Sequence, residues 1–156
     1  MKLLNFISCL LLLIGMVSCS NEAPNTTAID PIVGTWKPIR EAVFIVDGMQ
    51  EVFEKTPCEQ TSRFIFETNG NFNYTEFTDE AGDCLPDESY IEDGSWDKLA
   101  QEKYKFNFIY YNSNTQLSES DSQIPDKVQF FDENNTMRII ELVEQGEKYI
   151  ELVRIN

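Results

Sequence analysis

Short stretches of alternating apolar and polar residues organise this chain, and after residue 31 no stretch shows a sustained helical period. The clearest case surrounds Asn69-Gly70. There, residues 63–67 and 71–75 carry an aromatic ring at every second position: Phe64, Phe66, Phe72 and Tyr74. Because successive side chains of a strand point to opposite faces, this spacing predicts a β-hairpin with one buried aromatic face. Asn-Gly favours a two-residue type I′ turn, since both central residues of that turn need positive φ.

The same alternation recurs along the chain between turn residues. Asp47-Gly48 and Gln145-Gly146 each separate two such stretches, and residues 103–111 place Tyr104, Phe106, Phe108 and Tyr110 on one side. The further predicted strands are 42–46, 50–54, 94–97, 103–111, 128–131, 137–143 and 148–155. Eight or nine short strands in sequential antiparallel order predict an all-β fold, either a sandwich or a barrel.

Composition supports a folded interior and narrows the chemistry. The apolar fraction is 42% and the aromatic fraction 12%, enough to bury a core despite a formal net charge of −15. A field of that sign repels nucleic acid and anionic headgroups, but it attracts basic proteins. The chain has no histidine, which removes the commonest general base and the commonest transition-metal ligand. We therefore predict a protein that is not an enzyme, with no catalytic residues, no cofactor and no metal.

The N-terminus has the layout of a secretory signal. Lys2 precedes an apolar stretch at residues 10–17, and small Ser18 stands before Cys19. Residues 16–19 (MVSC) resemble the lipobox of bacterial lipoproteins. The resemblance implies that a diacylglyceryl group is attached to Cys19 and that the chain is cleaved before it, so that residues 1–19 form the signal peptide.

Several acyl chains would make this attachment effectively permanent, since each buried CH₂ contributes about 0.8 kcal/mol. The predicted location is therefore the bacterial cell envelope, with the protein held to the membrane through Cys19. Ser20 after the cysteine favours the outer membrane. Residues 20–31 are polar and contain two prolines, which predicts a flexible tether that leaves residues 32–156 as the folded domain.

Cys58 and Cys84 are the two cysteines of that domain. In the oxidising environment of the envelope, we expect them to form a disulfide. A redox or metal-binding pair is the alternative, although the spacing is not CxxC.

Two Gly-x-Trp motifs, Gly34-x-Trp36 and Gly94-x-Trp96, flank the Phe-x-x-Asn-Gly sequence at residues 66–70. With the lipobox, the two cysteines and the C-terminal hairpin, these motifs resemble the lipocalin-like domain lipoproteins of Bacteroidetes across residues 32–156. The resemblance implies a small antiparallel up-and-down β-barrel of about eight strands. It also implies that Gly34 and Trp36 are structural residues at the barrel base, where an arginine caps the barrel. Arg138 and Arg154 are the candidates for that arginine.

The resemblance further implies a small apolar ligand in the barrel lumen. The candidate ligand-binding residues are the inward aromatic ones: Phe64, Phe66, Phe72, Tyr74, Phe106 and Phe108. Rings in that number either line a cavity or fill it, and their bulk favours a filled or small one. The alternative function is a protein-interaction module, a surface factor or inhibitor that docks a basic partner through its acidic face.

Residues 78–94 form an acidic segment. Its carboxylates are Asp79, Glu80, Asp83, Asp87, Glu88, Glu92 and Asp93. Clustered carboxylates are the ligands that calcium prefers, but no EF-hand spacing is present. We therefore predict a solvated acidic loop, with calcium binding as the alternative.

Overall fold

The computed structural model describes residues 29–44, 49–80, 82–87, 91–144 and 146–155, and these residues form an all-β, barrel-like fold. The predicted signal peptide with Cys19, tether residues 20–28 and the Asp47-Gly48 turn lie outside the described residues. Within the described ranges, no helix has the length and apolar character needed to cross a bilayer.

The described residues contain twelve strands and two short 3₁₀ turns. The strands are β1 (Gly34–Phe44), β2 (Gln50–Glu54), β3 (Arg63–Phe66), β4 (Asn71–Thr75), β5 (Phe77–Glu80), β6 (Asp83–Pro86), β7 (Ile91–Ala100), β8 (Lys103–Asn112), β9 (Leu117–Gln123), β10 (Lys127–Phe131), β11 (Thr136–Val143) and β12 (Gly146–Ile155). The 3₁₀ turns are Glu59–Thr61 and Asp132–Asn134.

Ten of these strands form one curled antiparallel sheet in the order β10-β11-β12-β1-β3-β4-β7-β8-β9, with β2 paired to the second half of β1. The first and last strands, β1 and β12, pair along most of their length, from Thr35↔Ile155 to Ala42↔Tyr149. In the described part of the chain, no strand pairing joins β9 to β10. The sheet is therefore a half-barrel whose opening lies between β9 and β10.

The central hairpin has the predicted strands but a different turn. Phe66 pairs with Phe72, and the Glu67 amide donates to Asn71 O while the Gly70 amide donates to Glu67 O at 3.1 Å. The loop thus has three residues, and within it only Gly70 has positive φ, at +89°. The predicted two-residue type I′ turn is wrong. Three-residue hairpins combine a type I turn with one left-handed residue, a conformation that glycine adopts at low cost.

Arg154 closes one end of the half-barrel, which we call the base. Five inner-face residues pack together there: Trp36, Tyr104, Phe130, Met137 and Leu152. The Arg154 guanidinium lies 4.2 Å from the centroid of the Trp36 ring. It donates to Val33 O at 2.6 Å, Pro31 O at 2.7 Å and Asn134 O at 3.1 Å.

Of the two candidate arginines, Arg154 is therefore the one that covers the base. Arg138 instead forms an ion pair with Glu151 at 2.5 Å on the outer face. The Trp36 indole is completely buried, and its Nε1 donates to Ile32 O at 2.8 Å.

Gly34 makes room for this arginine. Its φ is +143°, and an added Cβ would collide with Nη1 of Arg154. We expect Gly34→Ala to lower the free energy of unfolding by about 2–3 kcal/mol, since it adds backbone strain to displacement of the arginine. Urea unfolding followed by tryptophan fluorescence measures this change.

Gly82→Ala is the matched control for that variant. Gly82 also has positive φ, +88°, but nothing lies within 4 Å of an added Cβ. The Gly82→Ala variant should lose only the free energy of unfolding that backbone strain costs. Equal losses for the two variants would contradict the proposed conflict with Arg154.

Asp30 fastens the segment before β1 to the same base. Its carboxylate accepts hydrogen bonds from Lys98 Nζ at 2.7 Å, Tyr104 OH at 2.7 Å and the Ile32 amide at 3.1 Å. Burial acts to raise the pKa of Asp30, but these hydrogen bonds outweigh it and hold the pKa below its ordinary value. Asp30 and Pro31, assigned to the tether from their composition, are thus in contact with the folded domain.

A carboxyl whose pKa is lower in the folded than in the unfolded chain stabilises the fold above its unfolded pKa. This stability is lost as the pH falls through the folded pKa. We expect Asp30→Asn to lower the free energy of unfolding at pH 7 by about 1–2 kcal/mol. The deficit should shrink below a pH of about 4. Urea unfolding at pH 7 and pH 3 measures both values.

Asp97→Asn, at an exposed position beside Lys98, is the control for this variant. A loss of stability for Asp30→Asn that stays constant with pH would contradict the lowered pKa of Asp30.

Candidate functional site

A cavity of about 540 Å³ lies at the other end of the half-barrel from the base. All six aromatic residues proposed from the sequence line it: Phe64, Phe66, Phe72, Tyr74, Phe106 and Phe108. They come from β3, β4 and β8, where the period-2 spacing points each ring to the inner face. The structure therefore brings together every candidate ligand-binding residue.

Three of these rings form the floor of the cavity. The ring centroids of Phe66 and Phe72 are 4.7 Å apart, and Phe106 lies 5.7 Å from Phe66 and 5.8 Å from Phe72. Each is at most 5% exposed, because the floor rings pack on the base as well as on one another. The aromatic interior is thus filled below the floor and open above it.

The walls combine aromatic and aliphatic side chains. On one side Phe64 and Tyr74 pair across β3 and β4 with ring centroids 4.2 Å apart. On the opposite side, β11 and β12 contribute Ile139 and Ile150, which are cross-strand partners. The sequence analysis did not assign these two isoleucines to the site. The alternation of residues 137–141 and 148–152 in the closing hairpin was the available signal.

Charged groups line the outer part of the cavity, which we call the rim. It carries four carboxylates and one ammonium group: Glu41, Glu76, Asp121, Glu141 and Lys148. Two of these carboxylates have cationic partners, because Lys148 Nζ lies 2.7 Å from Glu141 and Lys55 Nζ lies 2.9 Å from Glu41. The rim therefore has an excess of negative charge beside an apolar interior.

Glu76 is the rim carboxylate in the least polar surroundings. It directly follows β4 and is half-buried, and its carboxylate interacts with the Tyr74 hydroxyl. Burial raises the pKa of Glu76 above its ordinary value. The carboxylates of Asp87 and Glu59 act in the same direction, against the opposing effects of the Tyr74 hydroxyl and the Lys55 ammonium group. Burial likewise raises the pKa of the Tyr74 hydroxyl. Burial therefore makes the ionised form of each group less favourable than it is in water.

The acidic segment beside this rim is not the predicted loop. Residues 77–80 and 83–86 pair as the β5–β6 hairpin, from Phe77↔Pro86 to Glu80↔Asp83, and β7 begins at Ile91. Most of the described side chains of the hairpin are exposed, so the segment lacks the hydrophobic alternation that marks a half-buried strand. The described residues contain no group of three or more Cys, Asp and Glu side chains placed to hold a metal ion.

The predicted disulfide is confirmed. Cys58, next to the first 3₁₀ turn, is bonded to Cys84 on β6, with Cα atoms 5.4 Å apart. Cys58 is buried and Cys84 is exposed. The bond therefore fastens the exposed β5–β6 hairpin to the main sheet near Glu59 and Glu76.

Removal of this bond should destabilise the protein measurably. Closing a loop between cysteines 26 positions apart contributes about 3.5 kcal/mol by the chain-entropy relation. We expect the Cys58→Ala/Cys84→Ala double variant to lose about this much free energy of unfolding in urea. Wild-type protein unfolded in a thiol reductant should match it. An unchanged unfolding midpoint in both samples would contradict a stabilising role for the bond.

The remaining motif tryptophan, Trp96, has a structural position. Its Nε1 donates to Glu67 O at 3.0 Å, and its ring packs edge-on to Phe66 at 6.4 Å between centroids. The second Gly-x-Trp motif therefore supports the turn of the central hairpin and does not line the cavity.

Comparison with known proteins identifies no relative. No family model matches the chain, and no curated protein or solved structure matches it either. The resemblance to lipocalin-like lipoproteins therefore depends on the sequence motifs alone.

Proposed function

We propose that this protein is a lipid-anchored envelope protein of lipocalin-like type that binds a small apolar ligand in its aromatic cavity. The observation that supports this proposal is the convergence of six aromatic side chains from three strands on one cavity of about 540 Å³. Small-molecule sites are commonly clefts of about 300–1,000 Å³ lined mainly by apolar side chains. The cavity falls within that range.

The difference in exposure between the rings below the floor and those above it supports ligand binding at the upper rings. The rings below the floor are almost completely buried, as core residues are. Phe64, Tyr74 and Phe108, above the floor, keep part of their surface exposed to the cavity. An apolar ligand that covered these rings would gain about 25 cal/mol for each Å² removed from water.

The lipid anchor in this proposal is supported by the amino-acid sequence. The lipobox-like residues 16–19 support acylation at Cys19 and attachment to the outer membrane. A lipid anchor would keep the cavity within reach of apolar molecules that partition into or leave a membrane.

A second candidate function is docking of a basic protein. The excess of carboxylates on the rim, in a chain of net charge −15, favours it. Such docking would weaken steeply as the ionic strength rises, whereas burial of a neutral apolar ligand would not.

Filling the cavity should abolish ligand binding. Ile139 on β11 lines the cavity, so Ile139→Trp would place an indole in the space that the ligand needs. We expect the full chain in phosphatidylcholine nanodiscs to bind the neutral alcohol decanol, with a loss of at least about tenfold in affinity in this variant. Equilibrium dialysis measures the binding, with empty nanodiscs as the blank.

Ile109→Trp is the matched control for that experiment. Ile109 lies on β8 next to Phe108 but points outward and is 43% exposed. It should leave decanol binding unchanged. Ile150→Trp repeats the test from β12 if the first variant has an altered circular dichroism spectrum. Equal binding by wild type and all folded variants would contradict the proposed site.

A further inference from the structure

We infer that the cavity selects a ligand with a positively charged group on an apolar body, and that the Glu76 carboxylate is the counter-ion of that group. This inference rests on the proposed function, because it specifies the class of ligand that the aromatic cavity takes. It is carried by the position of Glu76 between the cavity interior and a rim whose cations are already paired.

The cations near the cavity are bound to other carboxylates. Lys148 pairs with Glu141 at 2.7 Å, while Lys55 is shared between Glu41 at 2.9 Å and Glu59 at 3.3 Å. In the described part of the chain, no lysine or arginine forms an ion pair with Glu76 or with Asp121. Both of these carboxylates line the cavity. The rim thus lacks the positive charge that would balance them.

The backbone holds Glu76 at the edge of the aromatic wall. Phe72 and Tyr74, four and two residues before it, line the cavity from β4. The Asp87 amide donates to Glu76 O at 2.9 Å, which fastens this position to the residue that follows β6. The side chain is half-buried, lines the cavity and interacts with the Tyr74 hydroxyl. Its carboxylate is therefore placed within reach of a ligand that covers the Tyr74 ring.

Two physical effects favour a cation here. A carboxylate removed in part from water interacts more strongly with an opposite charge than one at an exposed surface, and charge-assisted hydrogen bonds are the stronger kind. In addition, the faces of aromatic rings attract cations, and the walls carry Tyr74 and Tyr110 as well as phenylalanines.

The same arrangement disfavours an anion. A ligand carboxylate would add a further negative charge to a rim that has four carboxylates and one ammonium group. Glu76 already lies in the field of Asp87 and Glu59. Like charges at such a site repel and oppose binding. Simple fatty acids should therefore be poor ligands, although their chains fit an apolar cavity.

Three probes with the same ten-carbon chain test this selectivity: decyltrimethylammonium, decanol and decanoate. Each is equilibrated at pH 7 with the full chain in phosphatidylcholine nanodiscs, with empty nanodiscs as the blank. We expect the cation to bind at least about tenfold more tightly than the alcohol, and decanoate to bind more weakly than the alcohol. Glu76→Gln should reduce the preference for the cation over the alcohol by at least about fivefold, without weakening decanol binding.

Glu144→Gln is the matched control. Glu144 is exposed and follows β11 without lining the cavity, so this variant removes the same charge from outside the site. It should leave the order of the three probes unchanged. Glu76→Gln should also keep or raise the melting temperature at pH 7, because a carboxyl whose pKa is raised on folding destabilises the fold when it is ionised. A gain in stability together with a loss of cation binding distinguishes a ligand-binding role from a structural one.

The outcomes separate this inference from the proposed function. If decanol binds as tightly as the cation, or if Glu76→Gln leaves the preference intact, charge selection by Glu76 is wrong while the apolar site stands. If none of the three probes binds, the proposed function fails and this inference fails with it. If decanoate binds most tightly, the sign of the selectivity is reversed and the inference is overturned.

Discussion

The stacking of Arg154 on Trp36 is the interaction on which the rest of the structure depends. It joins the end of β12 to the start of β1 and, through Asn134, to the turn before β11. These segments meet around an indole that is completely removed from water. A guanidinium is well suited to this position, because its planar face lies on the ring while its N–H groups donate to backbone carbonyls that would otherwise be unpaired. Gly34 is needed beside it, since any side chain there would take the space of the guanidinium.

A base closed in this way allows the other end of the half-barrel to stay open. The Val128 amide on β10 donates to Glu102 O in the β7–β8 turn at 2.8 Å, so the two flanks of the opening meet near Tyr104. Further from the base, no pairing joins β9 and β10 in the described residues, and the inner aromatic side chains of β3, β4 and β8 line a cavity. The same strands thus form a packed core near the base and a cavity further from it.

Glu76 illustrates how a site of this kind differs from a core. A half-buried carboxylate with a raised pKa contributes less to stability than a neutral side chain of the same shape would. Groups of this kind are concentrated at functional sites. Glu151 provides the contrast: it is 6% exposed, but Arg138 and Arg40 lie beside it on the outer face. Of these two acidic residues, only Glu76 faces an apolar cavity.

The amino-acid sequence by itself determined the all-β class, most of the strands, the inner face of β3, β4 and β8, and the pairing of Cys58 with Cys84. Alternation is a local property, so the strands and their inner faces follow from residues a few positions apart, whereas the disulfide follows from the presence of two cysteines in residues 32–156. It did not reveal β9, whose sequence LSESDSQ has one apolar residue and is ordered by pairing with β8. Nor did it reveal the β5–β6 hairpin. Only the tertiary structure decided that Arg154 and not Arg138 covers the base, that the rings enclose a cavity above a filled floor, and that no lysine or arginine of the described residues forms an ion pair with Glu76. Those features depend on contacts such as Arg154 with Val33, which lie 121 positions apart in the chain, and no local pattern encodes a distance of that kind.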